Sequence, residues 1–215
     1  MTYNHENCAF REQNVSSAPV KPAATVSQEV ARRVTDWLEP KNWVIVVTAL
    51  VAVRADGVIG IGWGILAIAL TVGLPLVFFR RGLRAGRWSD RHVGVRRQRL
   101  PLMALVIVCA GASLALLAVA GAPRPIVAVI AAVLVTAAVL TAITTAWKVS
   151  VHCATSSGAV VILAITFGPP LLACYALVAC IGWSRLALRD HTIAQVLVGA
   201  LLGAGLSALT YLWVR

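Results

Sequence analysis

Charged side chains are scarce in this 215-residue chain, in which Asp, Glu, Lys and Arg together make up 13% of the positions. A soluble domain typically carries about a quarter. Hydrophobic residues account for 60% of the sequence, and its mean hydropathy is +0.85. This balance excludes a water-soluble globule, a disordered chain and a fibrous protein. We therefore expect an all-α membrane protein whose chain crosses the bilayer several times.

Carboxylates are the scarcest charged groups, with 8 Asp and Glu against 19 Lys and Arg and a formal net charge of +11. In a soluble protein such an excess of positive charge would suggest nucleic-acid binding. In an apolar chain, basic loops instead orient the helices in the bilayer and contact anionic lipids. The sequence therefore predicts membrane lipids, and no nucleic acid, as partners, and it indicates no oligomeric state.

Cysteine pairs are also missing, because none of the 5 cysteines forms a CxxC motif. Neither a disulfide framework nor a zinc site is expected from this odd number. Residues 1–40 lack the apolar stretch of a secretory signal and are polar, with many Ser, Val, Ala and Pro. We expect a flexible, disordered cytoplasmic tail there, with a short helix around Ser27–Leu38, and a transmembrane helical domain over residues 41–215.

Seven apolar segments follow the tail and predict a bundle of six to seven transmembrane helices. They are Trp43–Val53, Val58–Phe79, Leu100–Gly121, Ile126–Trp147, Ala154–Phe167, Leu171–Trp183 and Ile193–Val214. Four of them have 22 residues each, which is enough to cross a bilayer. The first is shorter, and it either crosses the membrane or re-enters on the same side.

Glycine and proline interrupt the apolar pattern at several places. Residues 54–57 predict a tight turn between the first two segments, and the Gly-Pro-Pro break at 168–170 predicts two helices rather than one. Glycines four positions apart, such as Gly199 and Gly203, would let neighbouring helices approach closely. That pattern is a packing signal and indicates nothing about function.

The basic loops fall at one end of the predicted bundle when all seven segments are threaded through a membrane. Eight Arg lie between residues 80 and 99, and further basic residues lie in 148–152 and 184–191. Because cytoplasmic loops carry the excess of Lys and Arg, we expect this end and the tail to face the cytoplasm. The protein is then a multi-pass protein of the plasma (inner) membrane.

Three polar clusters, far apart in sequence, meet at that face in this topology. They lie at residues 90–99, 148–152 and 184–195, and they supply fixed cations, a hydroxyl group and two imidazoles. Cations neutralise phosphate oxygens, and two histidines can divide the roles of nucleophile and acid near pH 7. The carboxylates that Mg²⁺ requires are nearly absent. The pattern therefore predicts phosphoryl transfer without a metal or other cofactor.

These residues resemble the signatures of the phosphatidic acid phosphatase type 2 superfamily, which includes membrane lipid phosphatases and vanadium haloperoxidases. Ser184-Arg185, followed after five residues by His191, is similar to the third signature, Ser-Arg-x5-His-x3-Asp. Ser150-x-His152 resembles the Ser and His of the second signature, Pro-Ser-Gly-His. Residues 91–97 match the first signature, Lys-x6-Arg-Pro, only loosely. The resemblance covers residues 80–203 and implies an α-helical membrane phosphatase.

The resemblance implies catalytic roles for two histidines. His191 would be the nucleophile that forms a phosphohistidine, and His152 would protonate the leaving lipid oxygen and then activate water. It also implies a set of residues that hold the phosphate and its developing charge. These phosphate-binding residues are Lys148, Ser150, Arg185 and one or more of Arg91, Arg96 and Arg97.

Position 195 departs from the family's pattern, since Gln195 stands where the third signature has Asp. The amide oxygen can accept a hydrogen bond from His191, four positions earlier, but it carries no charge. By analogy with the Asp of a catalytic triad, the replacement should lower the rate by a factor on the order of 10²–10⁴. A structural role is equally open, because Thr192-x-x-Gln195 fits a capping box at the start of the last helix.

The sequence thus predicts an integral-membrane lipid phosphatase. Candidate substrates are phosphatidic acid, phosphatidylglycerol phosphate and polyprenyl phosphates or diphosphates. The alternative is a catalytically weak protein that binds or flips an anionic lipid, which Gln195 and the loose first signature motivate. A small transporter is disfavoured, because polar residues are few near the middle of the predicted spans.

Overall fold

The computed structural model describes residues 25–84 and 96–215, without the side chains of residues 96–99, and every regular element in these ranges is a helix. The helices are α1 (Val26–Trp37), α2 (Pro40–Ile68), α3 (Leu74–Arg84), α4 (Arg96–Val119), α5 (Arg124–Ala146), α6 (Val151–Phe167), α7 (Tyr175–Ala187) and α8 (Ile193–Val214). A π-helical turn, Ala69–Gly73, joins α2 to α3, and a 3₁₀ turn, Pro169–Cys174, precedes α7. The all-α prediction is confirmed.

Most of these helices are apolar enough to cross a membrane. Among the described residues, 5 stretches qualify by length and composition: Val26–Arg84, Leu100–Val119, Arg124–Ala146, Pro169–Ala187 and Ile193–Val214. The shorter apolar helix α6 packs between α5, α8 and the other helices. The chain is therefore a multi-pass membrane protein built as a helical bundle, as its composition predicted.

Helix α2 consists of two antiparallel arms joined by a tight turn. Asp56 (φ −157°, ψ 34°) and Gly57 (φ 51°, ψ −125°) leave the helical conformation, and the positive φ of the second residue suits glycine. Gly60 then lies directly against the backbone carbonyl of Ala52, where a Cβ atom could not be accommodated. The turn predicted at residues 54–57 is confirmed.

The hairpin begins and ends at one face of the bundle. Lys41, at the start of its first arm, and Arg80, in α3 beyond its second arm, line the same cavity. The chain therefore enters and leaves this hairpin on the same side. The predicted topology also placed these two residues at one face.

Helices α6 and α8 pack with their backbones in close contact. A Cβ atom at Gly199 would lie 2.7 Å from the carbonyl oxygen of Ser150, and one at Gly203 would overlap the backbone of Ala154. Because only glycine leaves room for this approach, the predicted role of the 199–203 pair is confirmed. The contact holds the first turn of α6 against α8, and the candidate site lies at that turn.

Helix α1 corrects the boundary that we drew for the tail. The short helix predicted around Ser27–Leu38 is present at Val26–Trp37, where Thr25 and Gln28 form a capping box. Ala31 and Thr35 are buried, and α1 packs on α7. Residues 25–40 therefore belong to the folded domain, because α1 buries one face. The remainder of the predicted tail, residues 1–24, lies outside the described residues.

Candidate functional site

A cavity of about 550 Å³ opens at the end of the bundle where α6 begins and α7 ends. His152, Arg185 and His191 line it together. Apolar side chains form most of its remaining walls, among them Val47 from α2, Leu76 from α3, Val106 from α4, Leu140 from α5 and Ile162 from α6. The structure thus brings two of the three predicted polar clusters to one cavity.

The chain reverses direction just after α7 in a Schellman motif. The backbone N–H of Arg189 donates to the carbonyl of Leu186 (2.9 Å), and that of Asp190 donates to the carbonyl of Arg185 (3.0 Å). Arg189 takes the left-handed conformation (φ 55°) that glycine usually fills at this position. The N–H of His191 also donates to the carbonyl of Arg185, at 3.3 Å. The turn therefore places Asp190 and His191 beside Arg185.

This turn overturns our expectation that Ser184 and His191 share one face of a helix. Helix α7 ends at Ala187 and α8 begins at Ile193, so His191 lies in the link between them. The Ser-Arg-x5-His spacing works because the Schellman turn folds the chain back. It does not place the two side chains two helical turns apart.

Arg185 is a buried cation with an incompletely satisfied guanidinium group. Its Nη2 pairs with Asp190 Oδ2 at 2.6 Å, and its Nη1 donates a long hydrogen bond (3.5 Å) to Thr35 Oγ1. Its Nε is buried and has no hydrogen-bond partner among the described residues. Since a buried donor without a partner is unfavourable, this guanidinium is suited to an anionic ligand.

Gln195 performs both of the roles that the sequence left open. Thr192 Oγ1 accepts from the N–H of Gln195 (3.4 Å), and Gln195 Oε1 accepts from the N–H of Thr192 (3.3 Å). This pair is the predicted capping box at the start of α8. The same Oε1 lies 3.0 Å from His191 Nδ1. The predicted contact with His191 is therefore present, although His191 precedes the helix.

The capping box determines the tautomer of His191. A backbone N–H can only donate, so the Gln195 atom that faces Thr192 must be the amide oxygen. That oxygen can only accept from the imidazole, and His191 Nδ1 must therefore carry a proton. In the neutral imidazole the lone pair then lies on Nε2. This is the tautomer that a nucleophile attacking through Nε2 requires.

The second cluster does not point one way, as the alternation of Lys148, Ser150 and His152 had suggested. Helix α6 begins at Val151, so only the residues before it are extended. His152 lines the cavity, whereas Lys148 lines a smaller, more open recess of about 380 Å³ with Asp190, His191 and Gln195. Lys148 Nζ donates to the carbonyl of Asp190 at 2.5 Å.

Ser150 is the N-cap of α6. Its fully buried hydroxyl accepts from the N–H of Cys153 (3.4 Å), and its own N–H donates to the carbonyl of Gln195 (3.2 Å). Within the part of the chain that the structure describes, Ser150 lines neither the cavity nor the recess. We therefore assign it to the junction of α6 and α8 and leave it out of the phosphate-binding set.

The first polar cluster falls outside this description. Arg91 lies outside the described residues, and Arg96 and Arg97 begin α4 with side chains that are not described. Their phosphate-binding role stays a prediction. Among the described residues, no group of three His, Cys, Asp or Glu side chains could hold a metal ion, and the metal-free reaction also stays a prediction.

Sequence reasoning missed two residues of this site. Thr35 contacts Ser184 and Arg185 from α1, and Asp190 pairs with Arg185 across the Schellman turn. An amphipathic pattern predicts α1 but does not identify the helix it packs on. No family model matches this chain, and neither a curated protein nor a solved structure matches it. Its function is therefore argued from the geometry of these residues.

Proposed function

We propose that this protein is an integral-membrane lipid phosphatase that hydrolyses a lipid phosphomonoester or diphosphate through a phosphohistidine on His191. The observation that supports the proposal most is the joint presence of His152, Arg185 and His191 in one otherwise apolar cavity. A lipid phosphate has the same division between an anionic headgroup and apolar tails. A volume of about 550 Å³ falls within the range of small-molecule sites.

In the first step His191 attacks the phosphorus atom through Nε2. The bond from phosphorus to the lipid oxygen breaks, and protonated His152 gives its proton to that oxygen. For a phosphomonoester the product is a lipid alcohol, and for a diphosphate it is a lipid monophosphate. Arg185 neutralises the non-bridging oxygens of the transferred group. Gln195 Oε1 accepts from Nδ1–H of the phosphorylated ring.

In the second step water hydrolyses the intermediate. His152, now neutral, takes a proton from the water as its oxygen attacks phosphorus, and the bond to Nε2 breaks. Inorganic phosphate leaves, and the electron pair of the broken bond returns to His191. Because Gln195 is neutral, it maintains the tautomer without stabilising the positive ring as a carboxylate would. We therefore expect a slow phosphatase.

The distribution of charge supports a site at the cytoplasmic face of the plasma membrane. Lys41, Arg80 and Arg185 line the cavity, and Lys148 and Arg189 line the recess beside it. Positive residues concentrate on the cytoplasmic side of membrane proteins. The substrate would then enter from the inner leaflet. Phosphatidic acid, phosphatidylglycerol phosphate and polyprenyl phosphates or diphosphates have the required chemistry.

Phosphate release from a panel of these lipids tests the proposal. The purified protein in detergent, with no added metal and with a chelator in a parallel sample, should release phosphate from at least one lipid. His191→Ala should abolish the release and His152→Ala should lower it by a factor on the order of 10²–10⁴. His5→Ala, a histidine of the predicted tail, is the matched control. A radiolabelled phosphoryl group should remain on native protein after rapid denaturation but not on His191→Ala protein.

The second candidate is a protein that binds or flips an anionic lipid with little catalysis. Two observations favour it: position 195 carries no charge, and Asp190 already pairs with Arg185. Equal phosphate release by native and His191→Ala protein, together with retained binding of the same lipids, would establish this candidate and exclude the phosphatase.

A further inference from the structure

Helix α1 touches the proposed phosphate site through one side chain. Thr35, which is 2% exposed, lies on the face of α1 that packs on α7. Its Oγ1 is 3.1 Å from Ser184 Oγ and 3.5 Å from Arg185 Nη1. Residues 149 and 150 positions apart in sequence are thereby joined. A helix outside the region of family resemblance thus contacts the cation that would hold phosphate.

The hydrogen bonds around Thr35 have a definite direction. Ser184 Oγ donates its only hydrogen to the carbonyl of Ile181 at 2.7 Å. Ser184 must therefore accept from the hydroxyl of Thr35, whose oxygen in turn accepts from Arg185 Nη1–H. The guanidinium is held between this hydroxyl on one side and the carboxylate of Asp190 on the other. Both contacts leave Nε, which is buried and without a partner in the described part of the chain, for a ligand.

The opposite face of α1 is apolar although it packs against no other helix. Val26, Val30 and Trp37 are 78%, 47% and 79% exposed, and with Arg33 they lie on one side of the helix at positions i, i+4, i+7 and i+11. Only Leu38 and Glu39 separate α1 from α2, the first arm of the membrane hairpin. An apolar stripe with Trp and Arg beside a membrane helix suits the headgroup boundary of a bilayer.

Resting on the proposed function, we propose that α1 is a membrane-surface helix that positions Arg185. Its outward stripe lies in the boundary between lipid headgroups and acyl chains, and its inward face orients the guanidinium through Thr35. Thr35 is a positioning residue, because it acts on the phosphate only through Arg185. The seating of α1 on the lipid surface and the affinity of the site for phosphate are then coupled.

The first test replaces the hydroxyl of Thr35. Thr35→Val keeps the shape of the side chain, and it should lower kcat/KM for the best lipid of the panel about tenfold. Thr35→Ser should restore most of the loss, which a purely steric role of Thr35 would not allow. Calorimetric titration with orthovanadate reads the same cation without turnover, and Thr35→Val should weaken its binding by a similar factor.

The outcomes of this test separate the two proposals. Unchanged kinetics and vanadate binding in Thr35→Val, with inactive His191→Ala protein, would overturn the role of α1 and leave the phosphatase intact. A Thr35→Ser variant as impaired as Thr35→Val would also overturn it. Native protein that neither binds vanadate nor releases phosphate would overturn both proposals.

The second test asks where the outward face of α1 lies. The emission lost in Trp37→Phe protein should be the part of native fluorescence that lipids brominated near the headgroup quench in vesicles of anionic and zwitterionic phospholipid. Trp37 emission that water-soluble iodide quenches and brominated lipid does not would overturn the surface assignment.

A double-mutant cycle then measures the coupling between the two faces of α1. The pair Val30→Ser and Trp37→Ser should lower kcat/KM in the same vesicles, and combining it with Thr35→Val should add little further loss. Glu29→Gln, on the polar side of the same helix, is the matched control and should change nothing. Additive losses would show that the stripe does not act through Thr35.

Discussion

The polar end of the bundle and the contact between α6 and α8 are built in opposite ways. Around Arg185 and His191, hydrogen bonds and an ion pair fix the side chains, and Arg189 occupies a backbone conformation that disfavours it. Between α6 and α8, glycines such as Gly203 bring two backbones together without any chemistry. This contrast indicates that the polar end determines rate and the glycine contact determines stability.

The largest effect should come from removing the buried cation. Arg185→Ala should lower kcat for lipid phosphate hydrolysis by a factor of about 10²–10³, because one fixed charge at the transferred phosphoryl group is lost. Arg185→Lys should recover only part of it, since an ammonium lacks the bidentate fork. Kinetic assays and thermal unfolding in detergent check the prediction together. Asp190 is 41% exposed and water can solvate it, so the melting temperature should fall little.

Loss of stability equal to that of a core deletion in Arg185→Ala protein would break the contrast. The cation would then be a structural residue, and the reduced activity would follow from unfolding.

A stability defect without a catalytic defect is expected at the glycine contact. Gly203→Ala should destabilise the protein by about 1–3 kcal/mol, because the added methyl group overlaps the backbone of Ala154. Gly205→Ala is the matched control on the same helix: a Cβ atom there meets no described atom within 4 Å. Melting curves in detergent measure both variants. A normal melting temperature for Gly203→Ala would show that the backbones are not in contact.

Gln195→Glu should sharpen the contrast by raising activity within the polar end. Glutamate is also a capping-box residue, so the start of α8 should be retained, while its charge stabilises the phosphorylated imidazole. We expect kcat to rise by a factor on the order of ten, part of what a triad carboxylate supplies. Gln195→Leu loses both functions and should lower kcat and the melting temperature. Steady-state kinetics decide, and a rate unchanged by Gln195→Glu would contradict the role given to His191 Nδ1.

The smallest effect is expected at the strained turn. Arg189→Gly should stabilise the protein by about 0.5–1 kcal/mol, because relief of the left-handed strain exceeds the added entropy of the unfolded chain. For a chain of this size, a change of that order raises the melting temperature by about 1–4 °C. Melting curves of native and Arg189→Gly protein give the comparison. A lower melting temperature would mean that the Arg189 side chain makes a stabilising contact.

The sequence predicted the features that depend on local residue chemistry. The hairpin turn at Gly57 follows from glycine's access to positive φ, and the capping box of Gln195 follows from its spacing after Thr192. Apolar length alone predicted the membrane bundle. The convergence of His152 and His191 followed from counting membrane crossings.

The features that depend on long-range packing could not be predicted in the same way. Arg189 is not a residue that announces a left-handed turn, so the end of α7 was placed too late and His191 was assigned to a helix. Burial of Ser150 depends on the approach of Gly199 from α8. The bond from Thr35 to Ser184 spans 149 positions, and no local pattern encodes which surface an amphipathic helix covers.

The shared oxygen of Gln195 has an evolutionary consequence. One atom both begins the last helix and selects the reactive nitrogen of the neighbouring ring. A substitution that spoils the helix start also silences the imidazole, so selection for folding protects the chemistry without acting on it directly. Glutamine and glutamate satisfy both demands. An ancestor of either kind could therefore have changed its turnover by a single exchange while keeping its architecture.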